Sequence, residues 1–321
     1  MFQYFIKRLL ALLPKLLAIV IIVFFAMELM PGNAVTRTIN PEELDALTDE
    51  QLQMLIEAKG LDKPAYIRFF YWLGDICRGD LGYSLNGGAS VATLLRQRLP
   101  ATMILALCGL ILSTVFGILF GVISSVKRNT PIDYSLTVAG LVGASIPQFF
   151  FCLLFLLVFA INLRWLPVGG RVSIDDTSIF GYIKHLILPS ACLAMGHIPS
   201  LMRYTRSSML DVMGKDYIKT ARAKGLKEHV VYMKHCFRNG CAPVVVILIG
   251  RLGMLVSGTT IIENIFNYPG MGTLFLSALN TKDTPVAMII LMLTSMAVLI
   301  TTFLADIALA ALDPRIRFGK E

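Results

Sequence analysis

The sequence predicts an all-α, polytopic membrane protein with six transmembrane helices and both termini on the cytoplasmic side. Three observations predict it. Hydrophobic residues fill 56% of the 321 positions and charged residues only 16%, well under the roughly 25% charge of soluble chains. The apolar residues gather in six long runs. Lys and Arg crowd into alternate loops between those runs.

The first run, residues 9–30, follows Lys7 and Arg8. It is too long for the apolar core of a cleaved signal peptide and no small-residue cleavage site follows, so it reads as an uncleaved span. The others cover 101–126, 135–163, 186–202, 240–262 and 284–305. A hydrocarbon core of ~30 Å needs about 20 helical residues at 1.5 Å each. Lipid offers the backbone no hydrogen-bond partners, so the spans must be helices. Pro189 and Pro199 are expected to kink the fourth span. His197 between them reads as a helix–helix hydrogen-bond partner rather than a metal ligand.

The loops orient the chain. Residues 7–8, 127–128, 203–240 and the tail after Asp306 carry sixteen Lys or Arg, whereas 162–185 and 263–283 carry four. Basic loops stay inside, so both termini are cytoplasmic. The expected organisation is an N-terminal span (1–30), an external helical cap (31–99), a core of five spans with a cytoplasmic loop at 203–240 (100–312), and a tail (313–321). In the cap, 41–59 and 64–78 have helical spacing, and a glycine-rich turn follows at 79–88.

The net charge of +8 would suggest nucleic acid in a soluble protein; here it is loop charge, and no nucleic-acid partner is expected. Cys77, Cys108, Cys152, Cys192, Cys236 and Cys241 form neither a disulfide framework nor a CxxC metal pair. No phosphate-binding loop, HExxH, GxSxG or paired acids within a span is present. Neither an enzyme, a cofactor nor a bound metal is expected. The missing span carboxylates also argue against an ion-coupled secondary transporter.

The informative loop is 202–243, MRYTRSSMLDVMGKDYIKTARAKGLKEHVVYMKHCFRNGCAP. Its nine basic residues face Asp211, Asp216 and Glu228. It could be a polybasic patch on anionic lipid, topogenic charge, or a docking element. Residues 217–224 read as a helix that Gly225 ends, with a second helical stretch to Arg238. Two short helices meeting at a glycine make a knob suited to a groove on a partner, and small Ala221 and Ala223 allow close approach.

Residues 216–225 (DYIKTARAKG) resemble the EAA loop of ABC importer permeases, in the form of the oligopeptide/dipeptide/nickel permease family. The stretches 60–64 (GLDKP), 79–84 (GDLGYS), 98–102 (RLPAT), 165–167 (WLP), 235–243 (HCFRNGCAP), 263–272 (ENIFNYPGMG) and 313–317 (DPRIR) match that family in order. The resemblance implies a type I importer permease of MetI-like fold in a prokaryotic inner membrane. It implies a heterodimer with a second homologous permease, two cytoplasmic ATPase subunits that hydrolyse the ATP, and an external substrate-binding protein. It implies peptides as cargo, with nickel or metal chelates as the alternative. It assigns the ATPase-coupling helix to Asp216, Tyr217, Thr220, Ala221, Arg222, Ala223, Lys224 and Gly225. Lys219-Thr220-Ala221 stands where the generic motif has Glu-Ala-Ala, a form typical of the peptide branch. The segment from Glu28 to Ala34 departs from the family's usual pattern.

Arg251, midway along the fifth span, is expensive in lipid and is expected to face a cavity or a partner. It and Gln148 are the candidates for the translocation path. Glu263, Phe266, Pro269 and Gly270 are candidates for an external gate or a binding-protein contact, with a plain re-entrant turn as the alternative.

Overall fold

The computed structural model describes residues 2–29, 47–58, 61–173, 176–252 and 259–312. In chain order the helices are α1 (Phe2–Glu28), α2 (Asp49–Ala58), α3 (Ala65–Cys77), α4 (Val91–Val126), α5 (Pro131–Ser145), α6 (Gln148–Phe155) and α7 (Ile179–Met213). There follow α8 (Asp216–Ala223), α9 (Glu228–Val230), α10 (Arg238–Arg251), α11 (Thr260–Ile265), α12 (Met271–Asn280) and α13 (Thr284–Leu312). π-Helical turns extend α6 over Leu156–Asn162 and join α9 to α10 over Val231–Phe237. Among the described residues the extended pairings are isolated bridges, at Tyr83–Ser90 and Ser173–Asp176.

The centre of the bundle is the α4–α7 pair. Ala101, Leu105, Gly109, Ser113, Gly117, Gly121 and Ser125 recur every fourth residue, and all are buried. That spacing lines them along one helix face. Small residues let backbones approach closely, which is how helices gain contact energy in lipid. α7 occupies the space. A Cβ on Gly109 would lie 2.5 Å from Leu193 Cδ2, one on Gly117 2.8 Å from Leu201 Cβ, and one on Gly121 2.5 Å from Thr205 Cβ. Each partner sits 84 positions further along, so the two helices run parallel and in register.

Four helices are long and apolar enough to cross a membrane, within α1, α4, α7 and α13. α5 and α6 with its π-helical extension meet the same test only as a pair, which is bent by 100° and is either a broken span or a re-entrant loop. The third span expected at 135–163 is therefore built of two helices that meet at a bend. Ile146 has an extended backbone because the proline that follows disfavours the helical region at the residue before it. Meanwhile α7 runs as one helix through Pro189 and Pro199. The fifth span expected at 240–262 is described as α10 and α11, and residues 253–258 lie outside the described residues.

α1 and α13 are antiparallel neighbours, tied by Arg8–Asp306 at 2.8 Å and by the Phe5–Phe303 ring contact. At the other end of α1, Glu28 takes both Arg68 nitrogens of α3, at 2.7 and 3.1 Å. Val23, Phe24 and Met27 pack there on Phe69, Val91 and Ile289. The outer face of α1, including Leu10, Leu13, Leu17 and Ile22, is exposed apolar surface, as a lipid-facing helix requires. The expected cap helix at 64–78 is α3. Of 41–59, α2 covers 49–58; 41–46 and Lys59 lie outside the described residues, as do Gly60, the departure at 30–34 and the tail 313–321. Asp283, just before α13, accepts the Leu85 N–H at 3.2 Å and the Ser84 hydroxyl. The 79–88 turn, with Gly79 and Gly82 at φ +86° and +79°, is thereby pinned to the last helix.

Candidate functional site

The knob is built as its residues dictate. α8 buries Ile218 and Ala221 against Met209, Val231 and Cys236, with Val122, Val212, Tyr232 and Phe237 around them. The helix then stops in a Schellman turn: Leu226 N–H reaches the Ala221 carbonyl at 3.4 Å and Gly225 N–H the Arg222 carbonyl at 2.9 Å. Such a stop needs a left-handed residue, and Gly225 has φ +75°. Asp216, Tyr217, Thr220, Arg222, Ala223 and Lys224 remain exposed. Of the two alanines expected to permit close approach, Ala221 is used within the chain and Ala223 stays on the surface.

Electrostatics stiffens the knob. Arg222 grips Glu228 of α9 with two nitrogens, at 2.9 and 3.3 Å, and lies 5.9 Å from the Tyr232 ring centroid. The guanidinium holds the Glu228 carboxyl below its ordinary range. Burial pushes the Tyr232 phenol up.

Arg251 and Gln148 converge on one stretch of α7. Arg251 Nη1 donates to the His197 carbonyl at 3.3 Å, and Nη2 donates to Ser200 Oγ. Gln148 Nε2 lies 3.4 Å from the Cys192 and Leu193 carbonyls and fills the place of a Cβ on Gly196.

The 263–272 segment folds around its first residue. Glu263 is fully buried. Its Oε1 accepts from Thr102 Oγ1 at 2.6 Å and Thr259 Oγ1 at 2.8 Å; its Oε2 accepts from Gly272 N at 2.7 Å and Thr273 N at 3.3 Å. Thr102 Oγ1 also accepts from Met271 N at 2.7 Å. The carboxylate thus caps the N-terminus of α12, where orphan N–H groups and the helix dipole favour an anion. A Cβ on Gly270 would meet that carboxylate at 2.3 Å. Phe266 is buried and Pro269 half-buried, while Asn264 and Asn267 face outward. The side chains of Glu263 and Phe266 therefore face the chain's own interior.

One constellation escaped the sequence reading. Asp133, in the first turn of α5, is 2% exposed. Arg206 of α7 grips it with Nε and Nη2, at 2.9 and 2.8 Å. Ser124 of α4 donates its hydroxyl, and Asn129 its N–H at 3.0 Å. Three helices meet at this carboxylate, beside the knob. Arg203 and Arg206 read as loop charge because they follow an apolar run. The signal available was an acid in an otherwise uncharged helix, which needs a partner when buried.

Apolar helices packed through glycine, several of them long enough to cross a membrane, with a basic knob at one end of the bundle, fit a polytopic membrane protein. Comparison with known proteins gives the family. Residues 113–318 match the family described as binding-protein-dependent transport system inner membrane component. The oligopeptide transport system permease protein AppB of Bacillus subtilis is 38% identical over 320 residues, covering 99% of this chain and 100% of that one. The glutathione transport system permease protein GsiC of Pectobacterium atrosepticum is 36% identical over 321 residues, with the same coverage. The MetNI methionine ABC transporter, in an inward-facing conformation, shares the fold at a TM-score of 0.57 and 16% identity, over 69% of this chain and 97% of that one. The chain belongs to the family of binding-protein-dependent inner-membrane transport components, as an ABC importer permease.

Proposed function

We propose that this chain forms half of the translocation path of a peptide importer in a prokaryotic inner membrane. In this reading the chain crosses six times with both termini and the knob in the cytoplasm, and its partners are a second permease, two ATPase subunits and an external binding protein. The relatives named as oligopeptide and glutathione permeases support peptide cargo. The observation that carries the mechanism is α8: a short helix anchored by Ile218 and Ala221, stopped at Gly225, presenting Tyr217, Thr220 and Ala223 outward. Such a helix can seat in a cleft of an ATPase and pass its closure to α7. Arg251 and Gln148 then lie on the path, close to the α7 segment that moves. Asn264 and Asn267 present the outward surface of the 263–270 segment to the binding protein.

The test is reconstitution of the chain with the ATPase and permease products of neighbouring genes. ATP hydrolysis and uptake of peptides, glutathione included, are followed with binding protein present. The wild-type complex is expected to take up peptide with binding-protein-stimulated hydrolysis. Gly225→Pro is expected to lower uptake at least tenfold. A chain that purifies alone and moves peptide without ATPases contradicts the proposal.

A further inference from the structure

We propose that the Asp133–Arg206 pair is the positioning element that carries motion from the knob into α5, so that α5 and α7 move as one body. The inference rests on the coupling role of α8 given above.

The knob's buried side chains touch α4, through Val122, and the end of α7, through Met209, Val212 and Met213. α4 and α7 are already locked, because Gly121 sits against Thr205 and the Met202 carbonyl with no room for a methyl group. α5 stands differently. Its apolar contacts with α7 use glycine: a Cβ on Gly140 would meet Met202 Cε at 2.7 Å, and one on Gly143 would lie 3.5 Å from Pro199 Cγ. Met202 is a flexible side chain that can re-pack, so these contacts alone allow α5 to slide.

The polar contact does not allow it. Arg206 engages both carboxylate oxygens of Asp133 in the planar, two-point geometry that fixes orientation as well as distance. Ser124 of α4 and the Asn129 N–H complete the shell. Arg206 lies seven residues before the end of α7 at Met213, and α8 begins at Asp216, so displacement of the knob reaches Asp133 within two turns of helix. The far end of α5 leads into the bend. It ends at Ser145, and the chain turns by 100° into α6, whose Gln148 touches α7 near Gly196. The pair therefore closes a circuit from knob to α7 to α5 to the bend.

The experiment uses the reconstituted complex and reads peptide moved per ATP hydrolysed for wild type, Arg206→Gln, Arg206→Lys, Asp133→Asn and the Asp133→Asn/Arg206→Gln double variant. Arg206→Gln and Asp133→Asn are expected to hydrolyse ATP within about twofold of wild type while moving at least fivefold less peptide per ATP. The double variant should lose no more than either single one, because both remove the same contact. Arg206→Lys, a single point of attachment, should fall between. Unchanged peptide per ATP in both single variants overturns the proposal. So does additive loss in the double variant, or loss that tracks falling thermal stability across the series. Should a Gln or Asn variant fail to assemble, Arg206→Lys decides alone: full coupling overturns the proposal and partial coupling supports it. A wild-type complex that does not couple at all refutes the importer reading, not this pair.

Discussion

Two of the buried carboxylates among the described residues, Glu263 and Asp133, lie at opposite ends of α4 and are held in opposite ways. Thr102, which meets Glu263, and Ser124, which meets Asp133, are separated by about 33 Å of helix at 1.5 Å per residue. Glu263 has hydroxyls and backbone N–H groups around it and, among the described residues, no Lys or Arg within salt-bridge distance. Every one of those donors is short or part of the backbone, and Gly270 and Gly272 leave no slack. Asp133 is held chiefly by one long side chain from another helix. The first arrangement suits a fixed floor under α12. The second suits a link between helices that move together, since the two-point guanidinium–carboxylate contact fixes their orientation as well as their distance. The contrast teaches where this fold is built to stay still and where it can transmit movement.

Four substitutions would break or sharpen the contrast. The largest effect belongs to Glu263→Ala, which strands two hydroxyls and two N–H groups in a buried site. At about 1–3 kcal/mol for each unsatisfied group, the expected loss exceeds ~4 kcal/mol, read as collapse of the melting transition in detergent. Glu263→Gln keeps two acceptor lone pairs and should lose less than half as much. Next comes Arg206→Ala, which leaves Asp133 buried without its cation. Breaking such a pair costs about 3–5 kcal/mol, and Asp133→Asn in the same background should recover part of it by removing the stranded charge. Third is Gly121→Ala. Its Cβ would lie 2.5 Å from Thr205 Cβ and 2.8 Å from the Met202 carbonyl, so α4 and α7 must part, at about 1–3 kcal/mol. Gly74→Ala, with nothing within 4 Å, is the matched control and should melt like wild type.

The smallest stability effect is at the knob. Gly225 has open space but a left-handed backbone. Gly225→Ala should cost about 1–2 kcal/mol, and Gly225→Asn less, measured as protease sensitivity of the loop. Its pH dependence has a definite sign. The Glu228 carboxyl is depressed in the folded knob by Arg222. Its contribution is present above the ordinary carboxylate range and is lost as pH falls through the depressed value. Protection of the loop should therefore weaken only in acid, and Glu228→Gln should abolish that dependence.

Much of this was legible in the sequence. The apolar runs located α1, α4, α7 and α13, proline and glycine punctuation bounded α3, and Gly225 marked the end of α8. The bend at Ile146–Pro147 was not, because hydropathy averages over an X-Pro step inside an uncharged run. Nor were the carboxylate junctions: Asp133 meets Arg206 across 73 positions and Glu263 meets Thr102 across 161, separations that no local pattern encodes. Glu263 was read as a candidate for an external gate or a binding-protein contact because it adjoins a turn; its bonds to the next helix could not be read from that turn. The stripe from Ala101 to Ser125 was readable at a spacing of four. It went unread because a hydropathy scan treats Gly and Ser as filler.

The central claim is that α8 seats in a partner ATPase. The most direct measurement places a photo-crosslinking phenylalanine analogue at Tyr217, in the complex formed with the ATPase subunits, and follows the products with and without ATP. Tyr217 is exposed on the knob, so crosslinking to an ATPase subunit, with a yield that changes when nucleotide is added, is the predicted result. Crosslinks to lipid alone, from a complex that still hydrolyses ATP and moves peptide, would contradict it.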